Sequence, residues 1–192
     1  MAELILASQS PRRQELLRRI GLQDFTVLVS EADESYDPAW TPEDLVSRLS
    51  ARKAAAVAAL AGPVPIIIAA DTMVFLDDER LGKPRDEADA LEMLAALQGR
   101  HHTVCTGVTV RRGGESLTEA EETEVIFRSA SEAELRAYIR TGEPMDKAGA
   151  YGVQGLGALL VEGIRGDYYN VMGLPLVRLS RMLERFGVHL LA

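Results

Sequence analysis

Leu4-Ile5-Leu6-Ala7-Ser8-Gln9-Ser10-Pro11-Arg12-Arg13-Gln14-Glu15-Leu16-Leu17 reads as a short apolar strand that runs straight into a helix. Leu4 to Ala7 is a continuous apolar run, as expected of a strand buried on both faces. Ser10 suits the N-cap and Pro11 the first helical position, where its missing N–H costs nothing. Arg12 and Arg13 then occupy the first turn, where free N–H groups and the positive end of the helix dipole gather and acidic residues are preferred. Two arginines placed against that dipole make sense if an anion is to be held between them. Guanidinium binds phosphate in a bidentate manner, so phosphate fits best, with the Ser8 hydroxyl beside it. The competing reading is a surface helix start with solvated arginines.

The pattern extends outward from this turn. The first helix spans about Pro11 to Ile20 and stops at Gly21, and Phe25 to Val29 reads as a second strand. An acidic loop with Glu31, Asp33, Glu34 and Asp37 precedes a helix capped by Thr41, striped by Leu45, Leu49, Ala56 and Leu60, and ended by Gly62-Pro63. Pro65 to Ala70 is a buried strand, continued by Thr72 to Leu76 into a turn at Asp77 to Arg80. Asp86 to Leu97 is an amphipathic helix. His102 to Arg111 and Glu119 to Phe127 are antiparallel strands joined through Gly113-Gly114. Ser131-Glu132-Ala133-Glu134 matches a capping box for a helix that reaches Ile139. Gly149 to Gly157 is a glycine-rich loop, Ala158 to Ile164 a strand, and Leu176, Leu179, Leu183 and Phe186 line a last helix. The expectation is a single α/β domain over residues 1–192, with a mixed sheet and flanking helices.

At 192 residues, 47% of them hydrophobic, the chain can bury one sizeable core. No apolar stretch reaches membrane-spanning length, and no signal core follows the N-terminus, so a cytoplasmic location and no membrane partner are expected. The single cysteine, Cys105, excludes an internal disulfide and a cysteine metal cluster; its apolar surroundings mark it as a core residue. A net charge of −8 argues against a nucleic-acid partner. Lysine occurs only as Lys53, Lys83 and Lys147, against eighteen arginines among 21 basic residues. That scarcity is either chance or a sign that lysine is kept where a compact ammonium matters.

Asp71 ends the run Ile66-Ile67-Ile68-Ala69-Ala70, at the expected carboxyl edge of a central strand, where ligand groups gather in α/β sheets. A carboxylate there can bind a divalent cation or take a proton from attacking water; the plain alternative is a turn aspartate. Arg12 and Arg13 with Lys53 and Lys83 would supply cations for a triphosphate. A Walker-type phosphate loop is absent, and Gly155-Leu156-Gly157 lacks the dinucleotide spacing. His101 and His102 are adjacent and His189 is remote, so no histidine metal spacing appears. In the 149–157 loop, glycines permit close backbone approach to a flat ligand, and Gln154 can donate and accept.

These residues also carry a resemblance. Ser8 to Leu17, Ala70-Asp71-Thr72, Gly82-Lys83-Pro84-Arg85, Glu143 to Gly155 and Asn170-Val171-Met172-Gly173-Leu174-Pro175-Leu176 resemble, in order, the signature blocks of the Maf (septum-formation) nucleotide pyrophosphatases. The resemblance implies an elongated two-lobed α/β fold of inosine-triphosphatase type and hydrolysis between the α and β phosphates. The form Asp146-Lys147-Ala148-Gly149-Ala150-Tyr151-Gly152-Val153-Gln154-Gly155 is similar to the subgroup acting on dTTP and UTP. The resemblance implies Asp71 as catalytic base, Ser8, Arg12, Arg13, Lys53 and Lys83 on the phosphates, and Arg12, Thr72 and Gln154 in base preference. It also selects Glu34 from the acidic loop as partner of Asp71 on Mg²⁺ or Mn²⁺, and implies a homodimer. Two alternatives stand beside it. One is a pyrophosphatase for inosine or xanthosine triphosphate, which a purine-against-pyrimidine panel separates; the other is a non-catalytic nucleotide sensor, which has no need of Asp71.

Overall fold

Short apolar runs and well-marked helix starts build a mixed α/β architecture in the computed structural model, which describes residues 3–29 and 31–191. The strands are β1 (Leu4–Leu6), β2 (Thr26–Val27), β3 (Ile66–Leu76), β4 (Glu79–Leu81), β5 (His101–Arg112), β6 (Glu115–Phe127) and β7 (Val161–Arg165). The helices are α1 (Pro11–Arg19), α2 (Pro42–Ala61), α3 (Glu87–Leu97), α4 (Glu132–Ile139), α5 (Tyr168–Met172) and α6 (Leu176–Arg185). The strands form one seven-stranded sheet in the order β2-β1-β3-β5-β6-β7, with β4 paired to β3. β1 runs parallel to both β2 and β3, whereas β3–β4 and β6–β7 are antiparallel.

The described residues group into two compact units. One holds the chain up to Asp71, Thr106–Glu121 and everything from Gly173; the other holds Thr72–Cys105 and Glu122–Met172. In the first unit α2 covers one face of the parallel strands. Ala54 and Val57 of α2 pack on Ile5, Ala7, Ile67 and Ala69, and four of these six are alanine or valine, which lets the helix lie close to the sheet. α2 is framed as its sequence dictates: the Thr41 hydroxyl accepts from the Asp44 N–H, Pro42 opens the helix, and Gly62 ends it at φ +78°. Gly107 on β5 faces the α2 backbone so closely that a Cβ would lie 2.3 Å from the Val46 carbonyl oxygen. A chain of hydroxyls, Ser50 to Thr109 to Thr118 at 2.9 Å each, ties the same helix to β5 and β6.

In the second unit α4 starts with the expected capping box at Ser131 and Glu134. His102, Phe127 and Tyr151 form a buried edge-to-face aromatic group, and His102 Nε2 lies 2.7 Å from the Tyr151 hydroxyl. Asn170 of α5 donates to the Val104 carbonyl and to Thr123 Oγ1, at 3.0 and 2.9 Å.

Four expectations change. The run after Gly157 is a 3₁₀ turn, Leu156–Leu159, before β7 begins at Val161; Leu159 is exposed, so the run has no strand-like buried face. β2 shrinks to two residues. β6 begins four residues earlier than its alternation suggests, because the two-residue Gly113-Gly114 turn lets β5 and β6 pair up to their tips. The short helix α5 carries no periodic signal long enough to be read. Cys105 is buried, as expected.

Two measurements follow from this packing. Gly107→Ala should destabilise the fold by about 3 kcal/mol, because the Val46 carbonyl cannot rotate aside as a side chain would; a denaturant titration matching the parent protein would contradict that contact. Burial, with His101 adding to it, pushes the His102 pKa down from 6.5 to about 4. Between those values the unfolded chain binds a proton that the folded chain does not. Stability should therefore fall by about 3 kcal/mol as pH drops through that window, and His102→Gln should flatten that part of the pH dependence.

Candidate active site

β1 pairs with β3 only as far as Leu6 opposite Ile68, with one more bond from the Ala7 N–H to the Ile68 carbonyl at 2.8 Å. The chain leaves β1 through α1 toward β2 on one side, while β3 leads away from β1 on the other. Such a reversal opens a crevice at the carboxyl ends of the strands, where α/β sheets bind ligands. Asp71 therefore does not end its own strand. It is the sixth of eleven residues in β3, and the edge that exposes it is that of β1. It follows the alternation of Ile67 and Ala69, so it points to the α2 face. On α2, Lys53 precedes Ala54 and lies one turn before Val57, both in that same packed layer.

The result is a compact charged group in which Lys53 Nζ donates to Asp71 Oδ1 and lies 3.0 Å from Glu34 Oε1. The Asp71 side chain is 11% exposed and that of Lys53 23%, whereas Glu34 is open at 67%. Two carboxylates thus meet on one shielded ammonium, one fixed on a strand and one on a loop. The loop is held by the preceding residue of α2. Arg52 donates to the carbonyls of Ser35 and Asp33, at 2.5 and 3.2 Å, and with Arg48 stacks on Trp40.

The α1 turn lies in the same unit. Ser10 caps the helix, its hydroxyl accepting from the Arg13 N–H at 3.5 Å, and Ser8 Oγ accepts from the Ser10 N–H at 3.2 Å. Arg13 donates through Nη1 to Ser8 Oγ at 3.1 Å and through Nε to the Gly173 carbonyl at 2.8 Å. Burial lowers the Arg13 pKa to about 10; the negative charge of Asp71 opposes it, and Arg12 pushes the same way as burial. Arg13 remains cationic at neutral pH, a positive charge held at a helix N-terminus where the dipole disfavours it. An arriving anion relieves both the repulsion from Arg12 and the dipole penalty.

Ser8, Arg12, Arg13, Lys53, Glu34 and Asp71 are thus gathered in one unit, and Thr72, Lys83 and Gln154 belong to the other. Within that second unit the Gly149 N–H donates to the Gly82 carbonyl at 3.1 Å, which joins the Lys83 turn to the start of the Gln154 loop. A Cβ on Gly149 would come within 2.9 Å of the Val74 side chain, so this loop lies directly on β3. Val74 shares the strand face of Thr72. Lys83 and Gln154 are exposed.

The glycines of the loop are also needed by the chain itself. A Cβ at Gly152 would meet Lys147 at 2.6 Å, one at Gly155 Glu143 at 2.4 Å, and one at Gly157 the Tyr138 hydroxyl at 2.6 Å. The chain's own groups crowd these positions, at Gly157 the Gly152 carbonyl as well, at 2.5 Å. Glu143, Tyr138, Arg52 and the Gly173 carbonyl are therefore positioning groups that residue patterns did not single out. Glu143 and Gly173 fall inside recognisable blocks. Arg52 has no signal beyond adjacency to Lys53.

Two carboxylates on one ammonium fit a magnesium-type ion, which takes one or two protein carboxylates and completes its shell with water and substrate phosphates. Among the described residues no group of three or more His, Cys, Asp or Glu is placed to hold a metal ion. Among them, also, no helix is long and apolar enough to cross a membrane.

The family model for Maf-like proteins matches residues 3–186. A Symbiobacterium thermophilum protein named dTTP/UTP pyrophosphatase is 54% identical, covering 97% of this chain and 95% of its own. One of the same name from Moorella thermoacetica is 51% identical over 98% and 97%. Another, from Pelotomaculum thermopropionicum, is 47% identical over the whole of both chains. Solved Ham1 proteins of Staphylococcus aureus and Coxiella burnetii share the fold. Each has a TM-score of 0.53 and 13% identity, covering 95% and 96% of this chain and 98% and 100% of their own.

The Lys53–Asp71 contact makes a prediction of its own. Lys53→Met should destabilise the protein by about 1–3 kcal/mol, because it leaves a shielded carboxylate without its cation. Adding Asp71→Asn should recover about 1 kcal/mol of that loss. Strict additivity in a double-mutant cycle would show that the two groups do not interact.

Proposed function

The chain belongs to the Maf-like proteins, and on that premise we propose that it is a nucleoside triphosphate pyrophosphatase acting on dTTP and UTP. The observation that carries this reading is Lys53 joined to both Asp71 and Glu34, with the doubly anchored Arg13 in the same unit. The full-length likeness to proteins named dTTP/UTP pyrophosphatase supports the choice of substrate. Water attacks the α-phosphorus and the bond to the bridging oxygen of the β-phosphate breaks. The products are the nucleoside monophosphate and pyrophosphate. Asp71 takes the proton from the water as the new P–O bond forms, and Lys53 holds its carboxylate in place.

Arg12, Arg13, Lys53, Lys83 and the Ser8 hydroxyl hold phosphate oxygens, where guanidinium and ammonium offset the charge that builds on the leaving group. Asp71 and Glu34 would bind Mg²⁺ or Mn²⁺, which when present supplies further neutralisation of the triphosphate. Arg12, Thr72 and Gln154 set base preference; the Gln154 amide matches the O4 acceptor and N3 donor of thymine and uracil. The proposed setting is the cytoplasmic nucleotide pool, with a second copy of the chain as partner. A net charge of −8 speaks against nucleic acid.

Pyrophosphate release across a panel of common and modified triphosphates tests this reading. Asp71→Asn should lose roughly 10²- to 10⁴-fold in turnover while still binding nucleotide. Gln154→Ala should narrow the dTTP-to-purine ratio by about tenfold, the size of one lost hydrogen bond. Near-normal turnover by Asp71→Asn would put the base elsewhere, and a uniform drop in Gln154→Ala would leave that amide without a part in base reading.

A further inference from the structure

We propose that Glu143, acting with Tyr138, is the positioning residue that sets base selectivity, by clamping both ends of the segment that presents Gln154. The proposal rests on the pyrophosphatase reading above. Glu143 opens a 3₁₀ turn, Glu143–Asp146, just after α4, and its carboxylate reaches back across the glycine loop. It accepts from the Leu156 N–H and the Gly157 N–H, both at 2.9 Å, and from the Tyr138 hydroxyl at 2.8 Å. That hydroxyl in turn accepts from the Gly152 N–H at 3.0 Å.

One carboxylate and one phenol thus fix the amides at residues 152, 156 and 157, and the residues between them are left to project. Of these, Val153 is buried and Gln154 is exposed. The clamp has its own foundation. Lys147 Nζ donates to the Glu143 carbonyl and pairs with Asp146 Oδ1, both at 2.6 Å, so the backbone that carries the carboxylate is itself tied down. Gly152, Gly155 and Gly157 make room for Lys147, Glu143 and Tyr138.

The protonation states suit the arrangement. Burial raises the Tyr138 pKa, so the phenol keeps the proton that it donates. For Glu143, burial works against ionisation, but the Gly157 and Leu156 N–H groups, Tyr138 and Lys147 outweigh it and hold the pKa below the ordinary value. An ionised carboxylate has lone pairs for all three donors at once. A glutamine in its place has one oxygen acceptor and an NH₂ that faces another donor. An amide that reads a base edge must be held to a fraction of an ångström, because a loose donor pair rewards the wrong base almost as well as the right one.

Glu143→Gln and the milder Tyr138→Phe test this, with three readouts on the full chain. The first is hydrogen exchange at the amides of Gly152, Leu156 and Gly157. The second is kcat/KM for dTTP against dGTP. The third is binding of thymidine monophosphate against inorganic tripolyphosphate. Expected are at least tenfold faster exchange at the released amides and a roughly tenfold narrower dTTP-to-dGTP ratio. Thymidine monophosphate should bind more weakly, and tripolyphosphate binding should not change. Unchanged exchange would overturn the clamp, and faster exchange with an unchanged nucleotide ratio would overturn its part in selectivity. If the parent chain turns over no pyrimidine triphosphate, the pyrophosphatase reading falls. The monophosphate-to-tripolyphosphate comparison then decides the clamp: selective loss of monophosphate binding supports it, and equal binding or no binding by the parent overturns it.

Discussion

The close approach of α2 to the parallel strands is the constraint on which the candidate site depends. Ala54 and Val57 can lie against Ile5, Ala7, Ile67 and Ala69 only because these side chains are small or slender. A leucine at Ala54 or Ala69 would lift the helix away by more than a hydrogen bond can stretch. At this spacing Lys53 delivers its ammonium to Asp71, and the adjacent Arg52 delivers the loop that carries Glu34. The charged centre is therefore a product of apolar packing. The desolvation it imposes on Asp71 and Lys53 is what gives their contact more weight than a surface ion pair.

Cations here are held by neutral oxygens as well as by carboxylates. Arg13 rests on a serine hydroxyl and a glycine carbonyl, and Arg52 on two loop carbonyls together with the Asp33 carboxylate at 3.5 Å. A neutral partner orients a guanidinium without cancelling its charge. Arg178 shows the opposite use. It lies between Glu119 and Glu121 at 2.6 Å from each, and serves to tie α6 to β6.

Much of the fold was legible because its signals are local. Ser10-Pro11, Thr41-Pro42 and the Ser131–Glu134 capping box mark helix starts that the structure bears out. The apolar run Ile66 to Ala70 marked a strand, but not its passage through Asp71 to Leu76. A polar residue inside a strand reads as an end when the helix covering it is distant in sequence. The Lys53–Asp71 contact spans 18 residues and the Glu34–Lys53 contact 19, so no local window could pair them. Of these three residues only Asp71 lies in a family block, so the blocks mark one member of the chain of contacts and not its partners. The loop glycines carry a second constraint that their spacing does not show. Their spacing suggests ligand approach, and groups at Tyr138, Glu143 and Lys147, outside the local pattern, also need the room that Gly157, Gly155 and Gly152 leave.

On the proposed reading, the carboxylates and cations split a nucleoside triphosphate between its α and β phosphates. Phosphorus NMR of dTTP incubated with the protein and a divalent cation reads that bond directly. The account predicts thymidine monophosphate and pyrophosphate in equal amounts from the first turnover, with neither diphosphate nor inorganic phosphate. Thymidine diphosphate with inorganic phosphate, or dTTP left intact beside a bound protein, would contradict it.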